Sequence, residues 1–352
     1  MNPVYLLIEI GATVFFVIAG RLALRRGRLP FLELASAATF GLLLEQANQI
    51  IFETYEYSPE FALAIDRAPI VIGLTWALII AGAMRITDAL GVRRRYAPVV
   101  DSLLAISLDL AFDAVAIRMG LWTWRDIGPG QGWFGVPAGN FYSWLFVVVG
   151  FSLFTRLLRD ASHRHPGLEW LQLLVPLPAF AVLTASIGLF AVLKPLVDAD
   201  PGGGLLIFWI CLACFVALSA WGIWGPDRGV PDGASEAILD LRLAFATRVA
   251  IHLVFLGALL WLGLATSAPM LLAVAVLMVA AEVPLAALVG ARQSGRVVGP
   301  GRTSGRPGPT ETGPAVNRYI TNNIIGDRSG DCARRTRRSM GSALRYPRRH
   351  DD

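Results

Sequence analysis

Charged side chains are scarce in this sequence. Lys, Arg, Asp and Glu make up 16% of its 352 residues, where an average soluble domain carries about 25%. A chain so poor in charge cannot cover a water-facing surface of its own size, which argues against an ordinary soluble enzyme. Cysteine is rarer still, with three in all, so no disulfide framework is implied. Cys211 and Cys214 form a CxxC inside an apolar run, where they read as small packing residues, and Cys332 stands alone near the end. Soluble-enzyme signatures are missing as well: there is no Walker loop, no dinucleotide fingerprint after a strand, no HExxH and no GxSxG. The glycines of "IGPGQGWFG" do not open a helix in a βαβ setting, so they do not mark a phosphate site.

What fills the chain is apolar, 55% of it. About nine runs are long enough to cross a bilayer, at roughly 4–24, 31–52, 69–88, 97–119, 141–160, 170–194, 204–225, 248–266 and 269–291. The expected fold is therefore all-α, a polytopic membrane bundle of about nine helices over residues 1–292. The opening "MNPVYLLIEIGATVFFVIAG" lacks a basic n-region and a clear cleavage site, and reads as a retained first span. Arginines cluster in alternate connections: Arg21, Arg25, Arg26 and Arg28; Arg93 to Arg95; Arg156, Arg159 and Arg164; Arg228 and Arg242. The other connections are acidic or nearly bare. That alternation predicts an external N-terminus and a cytoplasmic C-terminus, in a bacterial cytoplasmic membrane. It also accounts for the net charge of +5 without nucleic acid as a partner.

Two segments differ. Residues 293–352 are Gly/Pro/Arg-rich without sustained periodicity, which predicts a disordered cytoplasmic tail. Its arginines are either a contact for anionic head groups or an extension without a role. Pro231–Arg248 reads as a short interfacial connector helix leading into the eighth span.

Acids inside apolar spans each cost about 2.5–3.5 kcal/mol near a bilayer centre, and they usually face a bundle interior or a wet cavity. Asp109 and Asp113 share a helix face, with Asp113 roughly 6 Å further out at 1.5 Å per residue. Glu45 and Asn48, at i and i+3, and Glu9 fall in the same outer half. Three acids at matched depth beside a Trp-rich loop make Asp109, Asp113 and Glu45 the candidate catalytic residues. The competing reading is interhelical hydrogen bonding that fixes the packing. Trp122 and Trp124 have a competing reading too, as interface-belt residues. Glu282 and His252 have no partner nearby in sequence and read as structural.

The stretch "SLDLAFDAVAIRMGLWTWRDIGPGQGWFGVPAGNFYSW" resembles the integral-membrane carotenoid biosynthesis family that includes the carotenoid 1,2-hydratases and the bisanhydrobacterioruberin hydratase. That family has a DLxLDPxxxxxGxWxW element followed by GVPxxNFxxW. The matching residues are Asp109, Leu110, Asp113, Gly120, Trp122 and Trp124, then Gly135, Val136, Pro137, Asn140, Phe141 and Trp144. Upstream, Glu45, Tyr55, Tyr57, Pro69 and Trp76 are similar as well. The resemblance covers about residues 40–160. Ala114 stands where the family has proline, and "PAGN" stands for its Pro-Leu-Ser-Asn.

The resemblance implies a lipophilic polyene, a carotenoid, as substrate and hydration of a terminal double bond as the reaction, with no metal or other cofactor. One acid of Asp109/Asp113 would donate a proton and the other would handle the water, with Glu45 as a third relay member or a support. Trp122, Trp124, Trp144 and Trp76 would wall the pocket, and Asn140 would position the water or a backbone group. Membrane lipids and other carotenoid-pathway enzymes would be its partners. A proton-coupled transporter and a non-catalytic subunit of a carotenoid pathway are the alternatives. A UbiA-like intramembrane prenyltransferase would need a second Asp-rich motif to hold Mg²⁺ against a diphosphate, and the sequence shows one.

Overall fold

The computed structural model describes residues 3–125, 127–128, 130–200, 202–224 and 239–297. The helices are Pro3–Arg26 (α1), Arg28–Ala47 (α2), Ile70–Leu90 (α3), Ala97–Ala116 (α4), Ala138–Arg164 (α5), Pro176–Val197 (α6), Leu205–Trp224 (α7), Leu241–Trp261 (α8), the single turn Leu264–Ser267 (α9) and Pro269–Val297 (α10). Among the described residues seven of them, α1, α3, α5, α6, α7, α8 and α10, are long and apolar enough to cross a membrane. The two others of similar length are richer in acids: Glu33 and Glu45 on α2, and Asp101, Asp109 and Asp113 on α4.

Proline and glycine set several boundaries. Pro176 opens α6, where a missing N–H costs nothing, so the run expected to begin near 170 starts instead as the tighter helical stretch Pro166–Leu174. Gly91 ends α3 with φ of 67°, a left-handed conformation that glycine adopts freely. The connector expected over Pro231–Arg248 is different in its described part. Leu241 to Arg248 form the first turns of α8, capped by Asp240, whose side chain accepts from the Arg242 N–H at 2.9 Å. Residues 225–238 lie outside the described residues. So does the expected tail from residue 298 onward, and α10 itself runs to Val297.

Helix α3 is the central element, with 78% of its apolar stretch buried against 17% for α1. It meets α2 at two facing glycines. A Cβ on Gly41 would lie 2.7 Å from the Trp76 Cβ and 3.0 Å from the Gly73 Cα. Small residues let membrane helices approach this closely, and the approach brings Trp76 of α3 beside Glu45 of α2. Gly41→Ala is therefore expected to lower stability by about 1–3 kcal/mol through overpacking, read as a lower midpoint of thermal unfolding in detergent.

Short strands interrupt the helices where an all-α chain was expected. Tyr55–Tyr57 (β1) pairs antiparallel with Trp122–Trp124 (β4), in the register Tyr55↔Trp124 and Tyr57↔Trp122. Ala64–Ile65 (β2) pairs with Ala68–Pro69 (β3), so Asp66 and Arg67 sit in a hairpin turn ahead of α3.

Arg156 and Arg159 are not the exposed loop charges that the topological reading made of them. Both are buried on α5. Arg159 bonds Glu33 through Nε at 2.7 Å and Nη2 at 2.8 Å, and Arg156 pairs with Asp88 and Asp101. These arginines tie α2, α3, α4 and α5 together, in a medium where an unpaired charge is costly.

Candidate active site

Glu45, in the last turn of α2, is buried and surrounded by donors. Its Oε1 accepts from the Trp76 indole at 2.8 Å. Its Oε2 accepts from the Tyr57 hydroxyl at 2.6 Å and from that of Tyr55. Three donors converging on one carboxyl suit a carboxylate, because an ionised acid accepts at both oxygens and donates at neither. Burial first, and the Glu45 charge next, hold the Tyr55 and Tyr57 phenols well above their ordinary range, so both stay donors. Two-residue periodicity places both rings on one face of β1.

Asp109 and Asp113 lie one turn apart on α4 and share one partner. The Asn140 side-chain NH₂, in the first turn of α5, donates to Asp113 Oδ2 at 2.5 Å and to Asp109 Oδ2 at 3.1 Å. Both carboxyls are buried and turn an oxygen to the same amide nitrogen, an arrangement that disfavours two full negative charges side by side. A pair so placed is suited to holding one proton between its members. Its members are not equivalent. Asp113 borders a cavity of about 640 Å³. Asp109 is fully buried behind it, off the cavity wall, and its Oδ1 has no partner among the described residues.

Aromatic rings form much of the rest of the cavity. Trp76 and Trp144 pack with ring centroids 4.2 Å apart, and Phe112 of α4 meets Trp144 edge-on at 5.7 Å. Trp122 and Trp124 roof the cavity from β4, held edge-to-face by Tyr57 at 5.9 Å and Tyr55 at 4.7 Å. All eight candidate residues, Glu45, Asp109, Asp113, Asn140, Trp76, Trp122, Trp124 and Trp144, thus meet in one place, seven of them on the cavity wall. The loop between β4 and α5 is fastened to α4: Trp133 Nε1 donates to the Leu110 carbonyl at 2.8 Å and Arg118 donates to that of Phe134 at 2.8 Å. With alanine at 114, α4 keeps the backbone N–H that proline would lack and runs unbroken to Ala116.

The chemical role of Tyr55 and Tyr57 escaped the motif reading, which noted them without a task. The alternation Tyr-x-Tyr opposite Trp-x-Trp was the available signal. Phe112 was missed, and so was the wall that Ile251, Val254 and Phe255 of α8 supply. Glu282 and His252 do have partners. Arg248 Nη2 bonds Glu282 at 2.6 Å, His252 Nε2 lies 3.2 Å from the same oxygen, and Arg248 reaches the Leu104 carbonyl and Ser107 on α4. This cluster braces α8 and α10 against the acid-bearing helix. Glu33, Asp88, Asp101 and Glu282 are all engaged by arginine, so none of them forms a second acidic set facing Asp113.

The site has the groups to hold an apolar chain, to present the Asp113 carboxyl to it, and to surround a positive charge with indole faces and the Glu45 carboxyl. A family model described as carotenoid biosynthesis protein matches residues 1–199, which includes every one of the eight candidates. No curated protein and no solved structure matches the chain.

Proposed function

Because the chain belongs to the carotenoid biosynthesis protein family, we propose that this multi-pass membrane protein is a hydratase that adds water to a terminal double bond of an acyclic carotenoid. The observation that carries the reading is the buried pair of carboxyls, Asp109 and Asp113, sharing the Asn140 amide at the edge of an aromatic cavity that Glu45 also borders.

The chemistry follows from those positions. Asp113 gives its proton to the less substituted alkene carbon, and the π pair becomes the new C–H bond. The positive charge left on the tertiary carbon faces the rings of Trp76, Trp144 and Trp122, each worth about 0.5–2 kcal/mol to a desolvated cation. Glu45, its lone pairs engaged by Tyr55, Tyr57 and Trp76, serves as a fixed counter-charge and not as the base. Water attacks the cation to form the C–O bond, and its extra proton returns to the Asp113–Asp109 pair. The sum is one water added, with the acid pair regenerated. Asn140 holds both carboxyls in register throughout. The arginines of the remaining connections favour an orientation with this site in the outer half of the membrane.

The test is expression in a bacterium that makes an acyclic carotenoid, with pigments weighed by mass spectrometry. A gain of one water per modified end is expected. Unchanged pigment beside well-folded protein would refute the hydratase, and proton-driven solute uptake in proteoliposomes would put a transporter in its place.

A further inference from the structure

The cavity bordered by Asp113 has walls of unequal exposure, and its apolar walls differ most. Toward α5 and α6 the wall is sealed, with Val147 at 2% and Leu183 at 0% exposure. Opposite, Leu7 of α1 and Val254 of α8 also border the cavity, yet are 69% and 45% exposed. Here α1 and α8 scarcely touch; each packs on α3 instead, and Ile72, Thr75 and Ile79 of α3 floor the gap.

Helix α1 is fastened on either side of this gap. Near its start the Tyr5 hydroxyl donates to the Gly120 carbonyl at 2.5 Å, and Glu9 accepts from the Ala62 N–H at 2.9 Å. Further along, Ala19 and Ala23 are fully buried. Between the two, Gly11 borders the cavity and stands clear, since a Cβ there would have nothing within 4 Å.

We propose that the gap between α1 and α8 is a lateral portal through which one end of a polyene slides from the hydrocarbon phase to Asp113, with Gly11 setting its width. This rests on reading the cavity as a polyene site. A chain dissolved among lipid tails crosses an apolar gap without shedding water, whereas a route through the polar end of the bundle would expose it. The portal also limits how much of the chain is held. Cavity-lining residues of α1 run from Val4 to Phe15, about 16 Å at 1.5 Å per residue. That is roughly half of a hydrocarbon core of about 30 Å, so a polyene of membrane-spanning length keeps its far end in lipid. A substrate with two reactive ends is therefore modified in two separate visits, and the singly hydrated polyene accumulates first.

The experiment uses the full chain with Cys211, Cys214 and Cys332 replaced by serine, and one cysteine restored at a time as Gly11→Cys, Ala250→Cys or Leu253→Cys. Leu253 is 54% exposed and does not border the cavity. A nitroxide is attached in detergent, the protein is reconstituted, and an acyclic polyene is added. Spin-label mobility should fall at 11 and 250 and stay unchanged at 253. In the same lipid, Gly11→Trp should raise KM for the long polyene severalfold and leave kcat little changed, the mark of lost binding. Polyene-dependent immobilisation at 11 and 250 without hydrated product would keep the portal and overturn the hydratase. Hydrated product with no immobilisation at either position, or with an unchanged KM in Gly11→Trp, would overturn the portal and keep the hydratase.

Discussion

Asp113→Asn is expected to cut carotenoid conversion by about 10²–10⁴-fold, the range that general acid–base catalysis contributes, while expression and detergent monodispersity hold. Asparagine matches aspartate in size and still offers an oxygen to Asn140, so the packing of α4 on α5 survives. What it lacks is the proton at the cavity wall. Asp109→Asn should cost less, because Asp109 is off the wall and reaches the substrate only through Asp113. The order of the two effects is the informative part. If Asp109 and Asp113 only fixed helix packing, both asparagines would be tolerated and a bulky apolar residue alone would do harm. Near wild-type turnover in both variants would end the acid–base assignment and move attention to Glu45. The measurement is product per folded protein, so a loss of protein cannot pass for a loss of chemistry.

Asp109, Asp113 and Asn140 were legible in sequence because helical spacing puts two acids on one face and a motif places the amide one connection away. Their unequal positions were not legible, since one turn of helix separates a cavity wall from a sealed interior and only packing tells them apart. Trp122 and Trp124 were legible as pocket residues, but not as a strand. Three residues of alternation are too few to outweigh a loop reading, and their partners Tyr55 and Tyr57 lie far away in the chain. Arg156 and Arg159 misled for a related reason. A sequence counts charges near helix ends, whereas their acids, Glu33, Asp88 and Asp101, come from three other helices. The contribution of α8 was invisible because its wall residues are apolar and its polar anchor, Arg248, finds Glu282 on α10 and Ser107 on α4. Helix positions, in contrast, follow from length and apolarity, and the helices overlap the nine expected runs, though seven of them are long and apolar enough to cross a membrane among the described residues.

The buried pair of Arg159 and Glu33 carries the largest expected effect on stability. Arg159→Met should destabilise the bundle by about 3–5 kcal/mol, because it strands Glu33 in a place without water. Glu33 is 0% exposed and its other contact, from Gln172 Nε2 at 3.4 Å, is long. Replacing both partners, Glu33→Leu with Arg159→Met, removes the stranded charge along with the pair. The double variant should recover most of the loss, whereas independent sites would simply add. Asp88 would keep Arg156 in that background. Thermal unfolding in a mild detergent reads the cycle, and a double variant no more stable than the sum of the singles would sink the argument. Distance then separates stability from catalysis. Glu33 and Glu45 are both on α2, roughly 18 Å apart at 1.5 Å per residue. Below its melting point, the double variant should therefore turn over substrate with a nearly unchanged kcat. A large fall in kcat at full folding would mean that the arginine network and the acid site are coupled through α2 and α5.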